Sequence, residues 1–143
     1  MAVSSEQLRE FIAIEMRGSD IKLVIEKVVY ESDTLKAFNR FIMPINQLSN
    51  NDFLKPHEIH ILTNTKESNR GIDVSLLGPT LKMYEKPMRL KMWRMGNSVN
   101  YVFATAWHAF WAENEQYLKK ESKIQIWSFR VDGQLCFAVC PVH

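Results

Sequence analysis

The chain has 143 residues, of which 46% are hydrophobic, and its formal net charge at pH 7 is +2. This length suits one domain that buries roughly two thirds of its unfolded surface, and it leaves little room for a second domain. No apolar run is long and uncharged enough to predict a secretory signal or a membrane span, so we expect a soluble protein. The low cysteine count, two, favours a reducing compartment.

The first predicted element is an amphipathic helix. Ser4 and Gln7 form a capping-box pattern, and Gly18 is placed to end the helix at C′. The shared apolar face consists of Leu8, Phe11 and Ile12.

Two strands follow the helix. The β-branched run over residues 23–30 predicts the first strand, and residues 40–43 predict a second, which Pro44 closes because proline cannot donate to a central ladder. Residues 45–54 predict a polar turn or short helix, with a cap at residues 50–52.

The middle of the chain has weaker patterns. We expect a strand at residues 59–62, a polar loop at 64–71, a turn at Gly78-Pro79, and a hairpin whose arms, 88–95 and 99–103, flank residues 96–98. Thr105 is placed to cap a short helix over residues 106–114, which directs Trp107, Phe110 and Trp111 toward the core.

The last elements form a second hairpin. Residues 123–129 and 134–140 predict strands joined through Asp132-Gly133, a strong turn signal. Several short strands, two or three helices and no βαβ rhythm predict a mainly antiparallel barrel or sandwich. Cys136 and Cys140 would lie about 13 Å apart in one strand, too far to bridge, so we interpret both as apolar fillers on one face.

Positive charge is concentrated in one segment. Residues 82–94 contain five basic residues and one acidic residue, a local net charge of +4, so the rest of the chain carries −2. Such a segment either orients the protein toward a polyanion or protects an ordinary strand edge with lysines. The basic residues are Lys82, Lys86, Arg89, Lys91 and Arg94.

The sequence offers no enzyme motif. The histidines of His57-Glu58-Ile59-His60 are three residues apart, which is not the metalloprotease spacing, and a surface helix start explains the segment better. There is also no glycine-rich phosphate loop and no nucleophile elbow. We interpret His108 as packed or exposed, and we predict no catalysis, no cofactor, no metal and no small-molecule substrate.

Several segments together resemble one plant family. Residues 26–44 contain Glu-Lys, Ser-Asp, Asn-Arg and Ile-Met-Pro in order, Tyr101-Val102 precedes Trp107 and Phe110, and residues 126–139 contain Trp-Ser-Phe-Arg and Leu-Cys-Phe-Ala. This order is similar to the B3 superfamily of plant transcription factors, in particular the domain-of-unknown-function type among the reproductive-meristem-like proteins, which residues 46–48 and 51–54 also fit. This chain departs from the family's usual pattern at Ile45-Asn46, at Glu121-Ser122 and in the greater length of its second arm.

The resemblance implies a fold and a partner. The fold is mainly β with short helices, an open seven-stranded antiparallel barrel (the B3-like pseudobarrel) plus an N-terminal helix, with an extension at residues 1–22 and the DNA-binding domain at 23–143. Two arms, at residues 33–40 and 91–100, would grip the major groove of double-stranded DNA. The implied DNA-binding residues are Lys36, Asn39, Arg40, Lys91, Trp93, Arg94, Asn97, Ser98 and Asn100.

The chemistry of these residues suits base reading, since Arg bonds guanine bidentately, Asn bonds adenine, and Lys contacts phosphate. Trp93 would pack against a sugar or thymine methyl, or else belong to the core, and Arg94 would read a base, contact phosphate or remain free. We therefore expect a nuclear, sequence-specific regulator of transcription. The alternative is a protein-interaction module on the same barrel with little DNA affinity, which binds a protein partner through its apolar hairpins or its N-terminal helix.

Overall fold

One mainly antiparallel sheet organises the molecule, and the computed structural model describes residues 1–64 and 71–142 of the chain. Within these residues the strands are β1 (Ser19–Val28), β2 (Arg40–Pro44), β3 (Ile72–Leu77), β4 (Met88–Met95), β5 (Ser98–Ala104), β6 (Lys123–Val131) and β7 (Gln134–Pro141). The α-helices are α1 (Ser5–Ile14), α2 (Pro56–Thr63) and α3 (Trp107–Glu113). Short 3₁₀ turns occupy Glu31–Thr34 and Ile45–Gln47.

The strand order is β1-β6-β7-β3-β4-β5-β2. Neighbours are antiparallel except β3 and β7, which run parallel. β1 and β2 are the two edges, so the strands of the described residues pair into an open seven-stranded sheet, and the predicted open barrel is not confirmed. Pro44 ends the edge strand β2, a position that tolerates a residue without an N–H group.

The sheet is apolar on both faces. The larger core contains Phe41, Phe103, Trp107 and Phe137, all fully buried. The smaller core lies under α1 and includes Leu8, Ile12, Phe129 and both cysteines. The free thiols of Cys136 and Cys140 are therefore buried on one face of β7, as the sequence predicts.

The N-terminal helix begins as predicted but ends differently. Ser4 Oγ accepts from the Gln7 N–H, and the Gln7 side chain accepts from the Ser4 N–H, which completes the capping box. The helix ends at Ile14, and the left-handed residue after it is Arg17 (φ 54°), so the expectation that Gly18 occupies C′ is wrong. A Cβ on Gly18 would lie 2.6 Å from Ile12 Cγ2, so glycine is needed for this close approach.

The segment predicted as a strand at residues 59–62 is helix α2. Pro56 occupies the first turn, and the Glu58 carboxylate accepts from the Lys55 N–H at 2.7 Å, so the helix starts there and the predicted cap at residues 50–52 is also wrong. Asn50 instead donates to the Leu23 carbonyl oxygen. Short apolar runs are ambiguous between helix and strand, which explains the error. Most of the predicted loop at 64–71 lies outside the described residues.

Both hairpins are confirmed. Val131 pairs with Gln134 across Asp132 (φ 51°) and Gly133 (φ 80°), and two positive φ values are typical of a type I′ turn. Met95 pairs with Ser98 across Gly96 (φ 60°) and Asn97, a pattern typical of type II′. These turns match the right-handed twist of their strands and fix the register of each pair.

Candidate nucleic-acid interface

The three strands β2, β5 and β4 share an outer face opposite the larger core. In this register Arg40, Ala104 and Arg89 form one row, Ile42, Val102 and Lys91 form the next, and Pro44, Asn100 and Trp93 form the third. The alternate residues, such as Phe41, Phe103 and Leu90, are fully buried in the larger core. Because side chains alternate along a strand, the three rows lie together on the outer face.

The two predicted arms lie at opposite ends of this outer face. The first arm, residues 33–40, leads into the Arg40 row, and the tip of the second arm lies beyond the Asn100 row. From Ala104 to Asn97 the chain advances seven residues, which is about 23 Å in an extended strand. The arms are therefore separated by about twice the width of the major groove, which is about 12 Å.

A buried ion pair fixes the base of the first arm. Lys27 Nζ lies 3.3 Å from Asp33 Oδ2 and donates to the Ile42 carbonyl oxygen at 2.7 Å. The same Asp33 oxygen accepts from the Tyr30 N–H. Burial lowers the pKa of the Lys27 ammonium, although the Asp33 carboxylate opposes that shift. The Glu-Lys and Ser-Asp pairs of the sequence pattern thus supply an internal bond.

Helix α3 holds the far side of the same arm. Trp107 Nε1 donates to the Asp33 carbonyl oxygen at 2.8 Å. The side-chain amide of Asn39 donates to the Thr105 carbonyl oxygen at 2.5 Å, and its oxygen accepts from the His108 N–H at 2.8 Å. Asn39 therefore caps the first turn of α3, and the expected cap by Thr105 is wrong because the Thr105 hydroxyl bonds the adjacent Ala104 carbonyl.

Arg40 is also engaged within the arm. Its Nη1 donates to the Ser32 carbonyl oxygen at 2.9 Å and lies 4.0 Å from Asp33 Oδ1. The guanidinium carbon lies 4.8 Å from the centre of the Phe38 ring. Of the three first-arm residues predicted from sequence, only Lys36 is exposed, whereas Asn39 and Arg40 are half-buried and hydrogen-bonded to the protein.

The second arm presents more accessible polar groups. Arg94, Asn97 and Ser98 are exposed at the tip of the hairpin, while Lys91 and Trp93 are half-buried on the outer face. Asn100 is only 4% exposed. Its amide lies 3.4 Å from the Ser98 hydroxyl, which itself donates to the Met95 carbonyl oxygen.

The basic residues of the segment 82–94 lie in three different surroundings in the structure. Lys82 and Lys86 line a cavity of about 570 Å³ against α3, together with Tyr84, Phe110 and Glu113. Arg89 pairs with Asp73 at 3.1 Å. Only the last members of the segment, Lys91 and Arg94, extend along the second arm, so its +4 charge does not act as a single stripe.

Sequence reasoning missed a second buried ion pair, between Glu58 and Arg130. The two carboxylate oxygens accept from the guanidinium at 2.6 and 2.8 Å, and Arg130 also donates to the Phe53 carbonyl oxygen. Burial opposes ionisation of Glu58, but the bonds from Arg130 and Lys55 keep its pKa below the ordinary value. The pair joins α2 to β6. The arginine of the Trp-Ser-Phe-Arg motif was the sequence feature that could have indicated this ion pair.

Across residues 1–64 and 71–142, His, Cys, Asp and Glu side chains form no cluster of three or more suited to a metal ion. Among the helices of those same segments, none has the length and apolar character needed to cross a membrane.

Comparison with known proteins decides the family. The family model described as B3 domain-containing protein At2g31720-like matches residues 3–143. The chain belongs to the B3 domain family. The resemblance seen in the sequence motifs is thereby confirmed.

Individual relatives agree with this assignment. B3 domain-containing protein At2g32645 of Arabidopsis thaliana is 33% identical over 128 residues, which are 87% of this chain and 67% of that protein. B3 domain-containing protein At1g05930 of the same plant is 32% identical over 126 residues, covering 87% of this chain and 38% of that protein. A solved structure titled Arabidopsis FUS3-DNA complex has a similar fold, with a TM-score of 0.54, 15% identity, and coverage of 85% of this chain and 100% of that chain.

Proposed function

We propose that this B3 domain binds double-stranded DNA sequence-specifically and regulates transcription in the plant nucleus, without catalysis and without a cofactor. The observation that supports this most is the placement of two polar arms at opposite ends of one outer face, with Lys91 and Trp93 between them. The open sheet would present the two arms to the major groove from opposite sides. The fold's similarity to a protein solved in complex with DNA supports the same reading.

Different residues would have different tasks at this interface. Lys36 and Lys91 would contact phosphates, while Arg94, Asn97 and Ser98, exposed at the hairpin tip, would reach base edges. Trp93 would pack against a sugar or a thymine methyl. Asn39, Arg40 and Asn100 already bond the protein, so we assign them to holding the arms in place.

The first experiment measures duplex affinity as a function of salt. A phosphate-contacting domain loses affinity steeply as salt rises, and Lys91→Ala should weaken binding to all sequences similarly and reduce the salt slope by about one unit. Arg9→Gln is the matched control, because Arg9 is an exposed cation on α1, where it stacks over Trp127. Equal slopes for the Lys91 variant and the parent would place Lys91 away from DNA.

The second experiment separates sequence reading from charge. The target is first selected from a randomised duplex pool at low salt. Arg94→Lys keeps the charge but removes the planar fork, so it should cost about 1 to 3 kcal/mol on the selected site and barely change binding to a scrambled duplex. Equal losses on both duplexes would remove Arg94 from base readout.

One surface favours the second candidate function, a protein-interaction module. Ile14 is 64% exposed and lines a shallow cleft of about 260 Å³ on α1 with Phe11, Gln7, Glu10 and Glu15. An apolar residue beside acidic ones suits a protein partner with a basic, amphipathic segment. If the parent protein binds no duplex at any salt concentration, this function replaces DNA binding.

A further inference from the structure

The first arm exposes two large apolar side chains. Phe38 is 52% exposed and Leu35 is 41% exposed. The N–H groups of Phe38 and Asn39 both donate to the Leu35 carbonyl oxygen, at 3.2 and 3.1 Å, so the two side chains belong to one tight turn. Between them in sequence lies the exposed Lys36. An apolar pair beside a free cation suits a ligand that is both anionic and locally apolar.

The position of the Phe38 ring is fixed from one side. The Arg40 guanidinium covers it at 4.8 Å and is itself bonded to the Ser32 carbonyl oxygen. The next residue, Asn39, is bonded through its side chain to both Thr105 and His108. These contacts restrict the Phe38 ring on one side and the backbone beside it, which reduces the conformational entropy lost when the ring binds a ligand.

The major groove offers one apolar group, the C5 methyl of thymine, which 5-methylcytosine also carries. We propose that Phe38, supported by Leu35, recognises a pyrimidine C5 methyl at one position of the DNA site, while Lys36 holds the adjacent phosphate. This inference rests on the proposed function, because it needs the first arm to enter the groove. It adds an apolar contact to an arm in which the polar side chains other than Lys36 are hydrogen-bonded within the protein.

The test uses the full chain and the duplex selected from the randomised pool. Each thymine is replaced in turn by deoxyuridine, which removes only the methyl group. Loss of one buried methyl should weaken binding about fourfold at one position. Phe38→Ala should bind the thymine duplex about as weakly as the parent binds the uracil duplex, and it should no longer distinguish the two.

Lys36→Ala is the control for charge. It should weaken binding to both duplexes equally and retain the fourfold preference for thymine. Phe38→Leu, which keeps an apolar side chain, should retain part of that preference, and an unchanged thermal unfolding temperature for each variant verifies folding. If the parent binds every uracil-substituted duplex as tightly as the thymine duplex, or if Phe38→Ala retains the preference, the methyl contact is refuted while DNA binding stands. Failure to bind any duplex would refute both.

Discussion

Asn39 is predicted from sequence to contact DNA and is bonded to helix α3 in the structure, and Asn39→Ala tests this structural role directly. The substitution removes the cap of α3 and the bond to the Thr105 carbonyl oxygen. Loss of such a cap costs about 0.5 to 2 kcal/mol, and an alanine at φ 45° adds strain that asparagine tolerates better. Because Asn39 is half exposed, we expect a total loss of about 2 kcal/mol in the free energy of unfolding.

Urea unfolding followed by tryptophan fluorescence measures this loss. Asn39→Gly relieves the strain but still lacks both hydrogen bonds, so the difference between the two variants isolates the backbone contribution. Asn97→Ala is the matched control, since Asn97 is an exposed asparagine at the tip of the other arm and should change stability by less than about 0.5 kcal/mol. A loss for Asn39→Ala no larger than that for Asn97→Ala would refute the anchoring role.

Two further predictions concern the cores. Phe137 is fully buried in the larger core, so Phe137→Ala should cost about 3 to 5 kcal/mol in chemical denaturation, and a loss under about 1 kcal/mol would mean that β7 is placed in the wrong register. Burial raises the pKa of the Cys140 thiol to about 11, so a thiol reagent at pH 8 should label it slowly when folded and rapidly in urea. Rapid labelling of the folded protein would contradict the burial of Cys140. Because the folded-state pKa lies above the ordinary value of 9.0, the protonated Cys140 thiol contributes to the free energy of unfolding below pH 9, and this contribution is lost as the pH rises through 11.

The sequence predicted those elements whose signals are local. Ser4 with Gln7, Asp132 with Gly133, and the turn at Gly96 each act over two to four residues, and the structure contains all three as expected. These motifs either bond the free backbone groups of their own segment or supply residues that tolerate positive φ angles. They can therefore be predicted without knowledge of residues distant in sequence.

The errors arise where a residue distant in sequence determines the local structure. The first turn of α3 is capped by Asn39, which precedes His108 by 69 residues, so the nearby Thr105 was the only candidate that sequence order offered. The helix start at residues 57–60 was predicted correctly, but residues 59–62 were mistaken for a strand because their apolar run is short and because the partner of the buried Glu58 is Arg130, 72 residues away. The DNA-binding roles of Asn39 and Arg40 stay predictions, and the sequence alone could not show that both side chains also bond within the protein.

The residues that identify the family and those proposed to read DNA are largely different sets. Lys27, Asp33, Asn39 and Trp107 belong to the recognisable motifs, and their side chains bond one another or the backbone at the base of the first arm. The groups left accessible at the arms include Lys36, Phe38, Arg94 and Asn97. Substitution of an internal bonding residue would displace a whole arm, whereas substitution of an accessible residue would alter one contact. A shared framework with independently variable tips would therefore allow relatives to keep this fold while preferring different DNA sequences.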